Sequence, residues 1–124
     1  MKVGVRYWYN KGIALLEAEL PEKAVECLDR ALEEDPENDT IIFKKGIALF
    51  YSERLEEAAG IFDSALKKNP ENYSALNNKG MILLRLSRID EAENCFRSAK
   101  EISRKSGCVD LNFSLIKKIR IDER

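Results

Sequence analysis

A pentapeptide recurs in this chain at a fixed spacing of 34 residues. "KGIAL" occupies positions 11–15 and returns unchanged at 45–49, and the close variant "KGMIL" occupies 79–83. A fixed period of this length is typical of repeat proteins, in which each repeat is one supersecondary unit that stacks on the next. The chain of 124 residues therefore predicts a short array of similar units.

Other columns follow the same period. One column is glycine, two are alanine, one is a bulky apolar residue between the alanines, and one is proline in two copies. Their members are Gly12, Gly46 and Gly80; Ala24, Ala58 and Ala92; Ala31, Ala65 and Ala99; Leu28, Phe62 and Phe96; and Pro36 and Pro70. The third copy has Arg104 where the proline would fall.

Each copy contains two stretches with the apolar spacing of an amphipathic helix. In the first copy these stripes are Val5, Trp8, Gly12 and Leu15, then Ala24, Leu28 and Ala31. The later stripes are Ile42, Gly46, Leu49, then Ala58, Phe62, Ala65; and Leu76, Gly80, Leu83, then Ala92, Phe96, Ala99. Pro21 can open the second helix because its missing N–H is not needed there, and Pro36 prevents that helix from continuing. The pattern predicts an all-α protein.

The glycine column indicates a close contact between helices. Glycine inside a helix costs about 0.8–1.0 kcal/mol relative to alanine, so its recurrence implies a steric need. We expect the facing helix to present the small residues Ala24, Ala58 and Ala92 at this contact, with large neighbours such as Trp8, Leu28 and Phe62 filling the space beside it.

The string Trp8, Gly12, Leu15, Ala24, Leu28, Ala31, Pro36 resembles the pattern of the tetratricopeptide repeat family, over about residues 5–106. The resemblance implies a right-handed superhelical solenoid of three helix-turn-helix repeats, at about 5–38, 39–72 and 73–106, in one domain. Two departures stand out. Lys11, Lys45 and Lys79 replace the usual leucine, and we expect their stems to cover apolar neighbours while their charges stay in water. The glycine usual in the turn within each repeat is absent.

The segment from Ser106 to Arg124 departs from the repeat. Gly107 can end a helix and Asp110 can cap a new one. An apolar stripe follows, made of Leu111, Leu115, Ile116 and Ile119. We expect a helix at about 109–121 that caps the solenoid. The alternative is an exposed strip of Phe113, Leu115, Ile119 and Ile121 that binds another subunit.

The resemblance also implies a concave groove, lined by the first helix of each repeat, in which family members bind peptides or helices. The groove residues carried over are Tyr9, Ile13, Phe43, Ile47, Phe50, Asn77, Met81 and Leu84, with Arg6, Leu16, Thr40 and Ser74 beside them. The family's carboxylate clamp for heat-shock protein C-termini would need Lys, Asn, Asn, Lys and Arg. This chain has Tyr9, Ile13, Lys44, Ser74 and Asn78 at those positions, so that activity is not expected.

The groove predicts a non-catalytic scaffold that binds a peptide or helix of a partner protein on an apolar wall. An alternative interpretation of the same residues is that some of them pack between helices and leave a shallower groove. A second hypothesis is a structural module that assembles with itself, as a homodimer through the groove or the C-terminal helix.

Composition excludes several other functions. Lys and Arg number 21 against 22 Asp and Glu, and this balance argues against a nucleic-acid or membrane-surface protein. The chain has no histidine, no phosphate loop and no nucleophile-base pair, so we expect no catalysis, no metal and no cofactor. We expect Cys27 and Cys95 to act as small core residues, Cys108 to be exposed, and the protein, which shows no signal peptide, to be cytoplasmic.

Overall fold

A computed structural model of the chain describes residues 1–106, and that range consists of six α-helices and their connections. The helices are α1 Val3–Glu17, α2 Pro21–Glu34, α3 Asp39–Tyr51, α4 Leu55–Lys68, α5 Tyr73–Arg85 and α6 Ile89–Ser106. The expected junctions near residues 38 and 72 both fall between helices, while the single-domain assignment stays a prediction. The predicted capping helix at 109–121 and Cys108 lie outside the described residues.

The chain divides into two compact units, Met1–Ile61 and Phe62 onward, with the division inside α4. In the first unit, α1 packs along α2, α2 packs against α3, and α1 also touches α3. In the second unit, α5 packs against α6. Both units are thus built from neighbouring antiparallel helices of the kind that the 34-residue period predicts.

Helix starts repeat with the period of the sequence. Asn38 and Asn72 lie 34 residues apart and cap α3 and α5, since each side-chain oxygen accepts a hydrogen bond from a backbone N–H three residues on, at 3.2 and 3.0 Å. Such caps stabilise a helix by about 1 kcal/mol. Pro21 is the first residue of α2, as predicted, and Glu22 places a negative charge in its first turn.

The turn within each repeat ends the first helix in one recurring way. Glu19, Glu53 and Ser87 have φ values of 61°, 63° and 60°, in the left-handed region that favours glycine. In the first turn the Glu19 N–H donates to the Leu16 carbonyl at 3.0 Å and the Leu20 N–H donates to the Leu15 carbonyl at 2.9 Å. The same pair of hydrogen bonds closes the other two turns, so all three are Schellman motifs formed without glycine.

The prolines set the length of the second helices. α2 and α4 each have 14 residues and end shortly before Pro36 and Pro70. α6 has 18 residues and passes through Arg104, the position where the third proline would fall. A proline there would remove a helical hydrogen bond and clash with the preceding turn, so its absence accounts for the longer helix.

The core follows most of the predicted stripes. Ala24, Leu28 and Ala31 of α2 are buried, as are Ala92, Phe96 and Ala99 of α6. Three departures occur: Trp8, Leu15 and Ala65 are only half-buried, and Ile41 is fully buried whereas the predicted Ile42 is half-buried. The single-residue shift in α3 rotates its buried face by about 100° per residue of offset, which the sequence pattern did not resolve.

The expectation that the glycines face the alanine column is wrong in its details. A Cβ atom placed on Gly12 would lie 3.0 Å from two side-chain atoms of Leu28, whereas the nearest atom of Ala24, its carbonyl oxygen, is 3.5 Å away. A Cβ on Gly80 would lie 2.5 Å from the Phe96 ring. The glycines therefore make room for the bulky column between the alanines, because a large side chain of the second helix lies directly against the backbone of the first.

Candidate functional site

All of the predicted groove residues lie on first helices and are half-buried. Tyr9 and Ile13 lie on α1; Phe43, Ile47 and Phe50 lie on α3; and Asn77, Met81 and Leu84 occupy the equivalent sequence positions on α5. Within the first unit, the contact of α1 with α3 brings the Tyr9–Ile13 helix beside the helix of the three α3 residues. Half-burial leaves part of each side chain accessible while the rest packs against a neighbouring helix.

The α5 residues show this dual role most clearly. Met81 and Leu84 pack against a buried cluster of Leu83, Ala92 and Phe96. The side-chain oxygen of Asn77 is buried and has no hydrogen-bond partner in the described part of the chain. The alternative interpretation, in which some of these residues pack between helices, thus accounts for part of the contacts of Met81 and Leu84.

The lysine column forms ion pairs that the sequence analysis missed. The Lys45 Nζ lies 2.7 Å from a carboxylate oxygen of Asp29 on α2, and the Lys79 Nζ lies 2.7 Å from Asp63 on α4. The expectation that these charges stay in water is wrong, because each joins the first helix of one repeat to the second helix of the preceding one. Asp29 and Asp63 are themselves 34 residues apart, which is the signal that could have found them.

The two pairs differ from exposed ones in their surroundings. The lysine side chains are only 28% and 31% exposed. The hydrogen bond to Asp63 raises the pKa of Lys79 above its usual value, and burial opposes that rise. The Asp column ends at Arg97, which instead pairs with Glu93 on its own helix.

The first lysine of the column has an aromatic environment. The Lys11 ammonium lies 5.4 Å from the centre of the Trp8 ring, and the Arg30 guanidinium lies 4.8 Å from the same ring. Tyr7 meets the Trp8 ring edge-on, with 5.0 Å between ring centres. Trp8 is therefore held by two cations rather than by an apolar core, which explains its partial exposure.

A cavity lies in the first unit beside the turn between α1 and α2. Its volume is about 500 Å³, and its lining residues are Leu16, Glu17, Glu19, Pro21 and Tyr51. The Tyr51 side chain is 63% exposed, and its ring meets that of Phe50 edge-on with 5.3 Å between centres. Of the lining residues, only Leu16 was associated with the groove from the sequence, because the cavity depends on how the end of α3 meets the turn.

The described cysteines have structural positions. Cys27 is buried, and Cys95 is half-buried against the cluster around Phe96. Burial raises the pKa of the Cys95 thiol, which keeps it protonated and poorly nucleophilic. Both observations agree with the predicted packing role.

Comparisons with known proteins address the family directly. Tetratricopeptide repeat models match residues 5–38 and 43–106. The chain belongs to the tetratricopeptide repeat family. The matches leave few of the residues between 5 and 106 outside the family's pattern, in agreement with the extent predicted from the sequence. A comparison with curated protein sequences gives no match.

Solved tetratricopeptide repeat structures share this fold. The Sgt2 domain from Aspergillus fumigatus is 19% identical, with a TM-score of 0.79 over 98% of this chain and 82% of that one. The Arabidopsis OM64 domain is also 19% identical, with a TM-score of 0.79 over 98% and 97%. The first such domain of Spaghetti (RPAP3), bound to the HSP90 peptide SRMEEVD, is 16% identical, with a TM-score of 0.75 over 95% and 94%. Within residues 1–106, none of the helices has both the length and the apolar character needed to cross a bilayer.

Proposed function

We propose that this tetratricopeptide repeat chain is a non-catalytic interaction scaffold that binds a peptide or helix of a partner protein on the apolar face of its first helices. The observation that carries the proposal is the half-burial of Phe43, Ile47 and Phe50 on α3. Side chains of this kind are held in place by packing yet keep accessible apolar surface, which is the condition for a preformed binding wall.

A structural neighbour supports the class of partner. The Spaghetti domain was solved with an HSP90 peptide, so this fold holds an extended segment in that protein. The ligand proposed here has different chemistry. Tyr9, Ile13 and Ser74 stand where the carboxylate clamp would need cationic or amide side chains, so a terminal carboxylate would lose its charge-assisted hydrogen bonds. We propose an apolar or amphipathic segment instead.

Capture of partners from a lysate of the source cells tests this proposal. The tagged wild-type chain is compared with a Phe43→Ala, Phe50→Ala double variant, whose helix content is checked by circular dichroism. Truncating central aromatic residues typically costs about 2 kcal/mol or more of binding free energy, so the specifically bound proteins should be lost.

A matched control removes apolar surface elsewhere in the same unit. Val3 and Tyr7 of α1 are 87% and 56% exposed and lie outside the predicted groove positions. A Val3→Ala, Tyr7→Ala double variant should retain the partners. Equal capture by both double variants, with helix content intact, would move the binding surface away from α3.

A further inference from the structure

The cavity beside the first turn has walls and a rim of different chemistry. Leu16 and Pro21 provide aliphatic surface, and Tyr51 provides an exposed aromatic ring. Glu17 and Glu19 are exposed at its edge. A volume of about 500 Å³ is more than a single long side chain fills, so one side chain can enter together with water.

The rim carries negative charge that the described part of the chain leaves uncompensated. No lysine or arginine within residues 1–106 forms an ion pair with Glu17 or Glu19. The last turn of α1, which ends at Glu17, contains no basic residue, so the negative end of the helix dipole adds to the two carboxylates. This contrasts with α4 and α6, whose last turns carry Lys67 and Lys68 or Arg104 and Lys105.

The aromatic wall adds a second feature that favours a cation. The Tyr51 ring is steadied edge-on by Phe50 and exposes most of its surface. A cation over an aromatic face is attracted by the ring's quadrupole. The same chain already uses this arrangement at Trp8, where the Arg30 guanidinium lies 4.8 Å from the ring centre.

We propose that this cavity receives a lysine or arginine side chain of the bound partner segment. The aliphatic stem lies along Leu16 and Pro21, and the charged group lies between the Tyr51 ring and the carboxylates of Glu17 and Glu19. Leu16 and Phe50 belong to the same first-helix positions as the proposed groove, so the cavity continues the groove toward the turn. The inference rests on the proposed function and specifies a basic residue among the apolar residues of the partner.

Selection from a library of random 12-residue peptides displayed on phage tests the inference. The selection is run on the wild-type chain, and the selected peptides are synthesised and titrated by fluorescence anisotropy. The key variant is Glu17→Gln, Glu19→Gln, which removes both charges while keeping side-chain size, and leaves a non-glycine residue at the left-handed position 19. The control variant, Glu26→Gln, Glu33→Gln, makes the same change in net charge on the exposed face of α2.

The inference predicts that selected peptides are enriched in lysine or arginine beside apolar residues. Their dissociation constants should rise at least about fivefold in the Glu17, Glu19 variant and stay unchanged in the control. Tyr51→Leu should weaken binding more than Tyr51→Phe, because phenylalanine keeps an aromatic face for the cation.

Two results would overturn the inference. One is selected peptides without basic enrichment, and the other is affinity that is unchanged in the Glu17, Glu19 variant. In either case, peptides that still lose affinity in the Phe43→Ala, Phe50→Ala variant would leave the proposed groove standing. A selection that yields no peptide dependent on Phe43 and Phe50 would overturn both the groove and the basic pocket.

Discussion

Gly80 and Gly60 both lie inside helices, yet their surroundings are opposite. A Cβ on Gly80 would meet the Phe96 ring at 2.5 Å, whereas a Cβ on Gly60 would meet no atom within 4 Å. The same residue type is thus required at one position and unfavourable at the other. The period in the sequence distinguishes them, since Gly80 belongs to the 34-residue column and Gly60 does not.

This difference predicts opposite effects of one substitution. Gly80→Ala should lower the free energy of unfolding by about 1–3 kcal/mol, because the methyl group forces Phe96 out of its packed position. Gly60→Ala should raise it by about 0.5–1 kcal/mol, because alanine is the better helix former. Urea denaturation of both variants and the wild type measures the two changes. A stabilising Gly80→Ala would show that α5 and α6 do not approach this closely.

The left-handed turn residues make a second prediction at this scale. Ser87 has φ 60°, where a side chain costs about 1–2 kcal/mol, and glycine recovers part of this despite its greater freedom in the unfolded chain. Ser87→Gly should raise the free energy of unfolding by about 0.5–1 kcal/mol, as measured by urea denaturation. Ser87→Ala keeps a Cβ and is the control, and it should give no such gain. Stabilisation by alanine equal to that by glycine would argue against the left-handed backbone.

At the scale of the helices, ion pairs connect one repeat to the next. Lys45–Asp29 and Lys79–Asp63 each join consecutive helices at 2.7 Å, and both partners recur with the sequence period. Asp63 is 48% exposed, so solvent screens the pair and its contribution stays small. Its role is to set the register of neighbouring helices more than to add stability.

A double-mutant cycle on Lys79→Met and Asp63→Asn measures this pair. The coupling free energy at neutral pH should be about 0.2–1 kcal/mol, and it should fall as salt is added. The folded-state pKa of Lys79 is raised above its usual 10.5. The pair's contribution is therefore fully present below that value and is lost as the pH rises through the raised pKa. A coupling energy that persists unchanged in strong alkali would contradict an ion pair with Lys79.

Sequence reasoning was most accurate where the information is local and periodic. Pro21 and Pro36 marked a helix start and a helix end because proline acts through its own backbone. The Lys79–Asp63 pair, the facing of Gly80 toward Phe96 and the wall formed by Tyr51 were missed because they depend on how separate helices meet. The left-handed Glu19, Glu53 and Ser87 were missed because their residue types do not indicate that conformation.

For the whole molecule, the proposed function requires that the first-helix face be available to another protein. The competing hypothesis is self-assembly through the same apolar residues, and the exposed Val3 and Tyr7 of α1 give it further apolar surface. The two hypotheses place the same side chains, Phe43 and Phe50, against different partners. They therefore differ in the mass of the purified protein, not in its fold.

Static light scattering of the purified chain over a wide concentration range tests this claim most directly. The account predicts a mass of 14.2 kDa that does not change with concentration, since the binding wall is left open for a different protein. The contradicting result is a stable particle of twice that mass that the Phe43→Ala, Phe50→Ala variant converts to a folded monomer. That outcome would mean that the apolar face of the first helices is the interface of a homodimer.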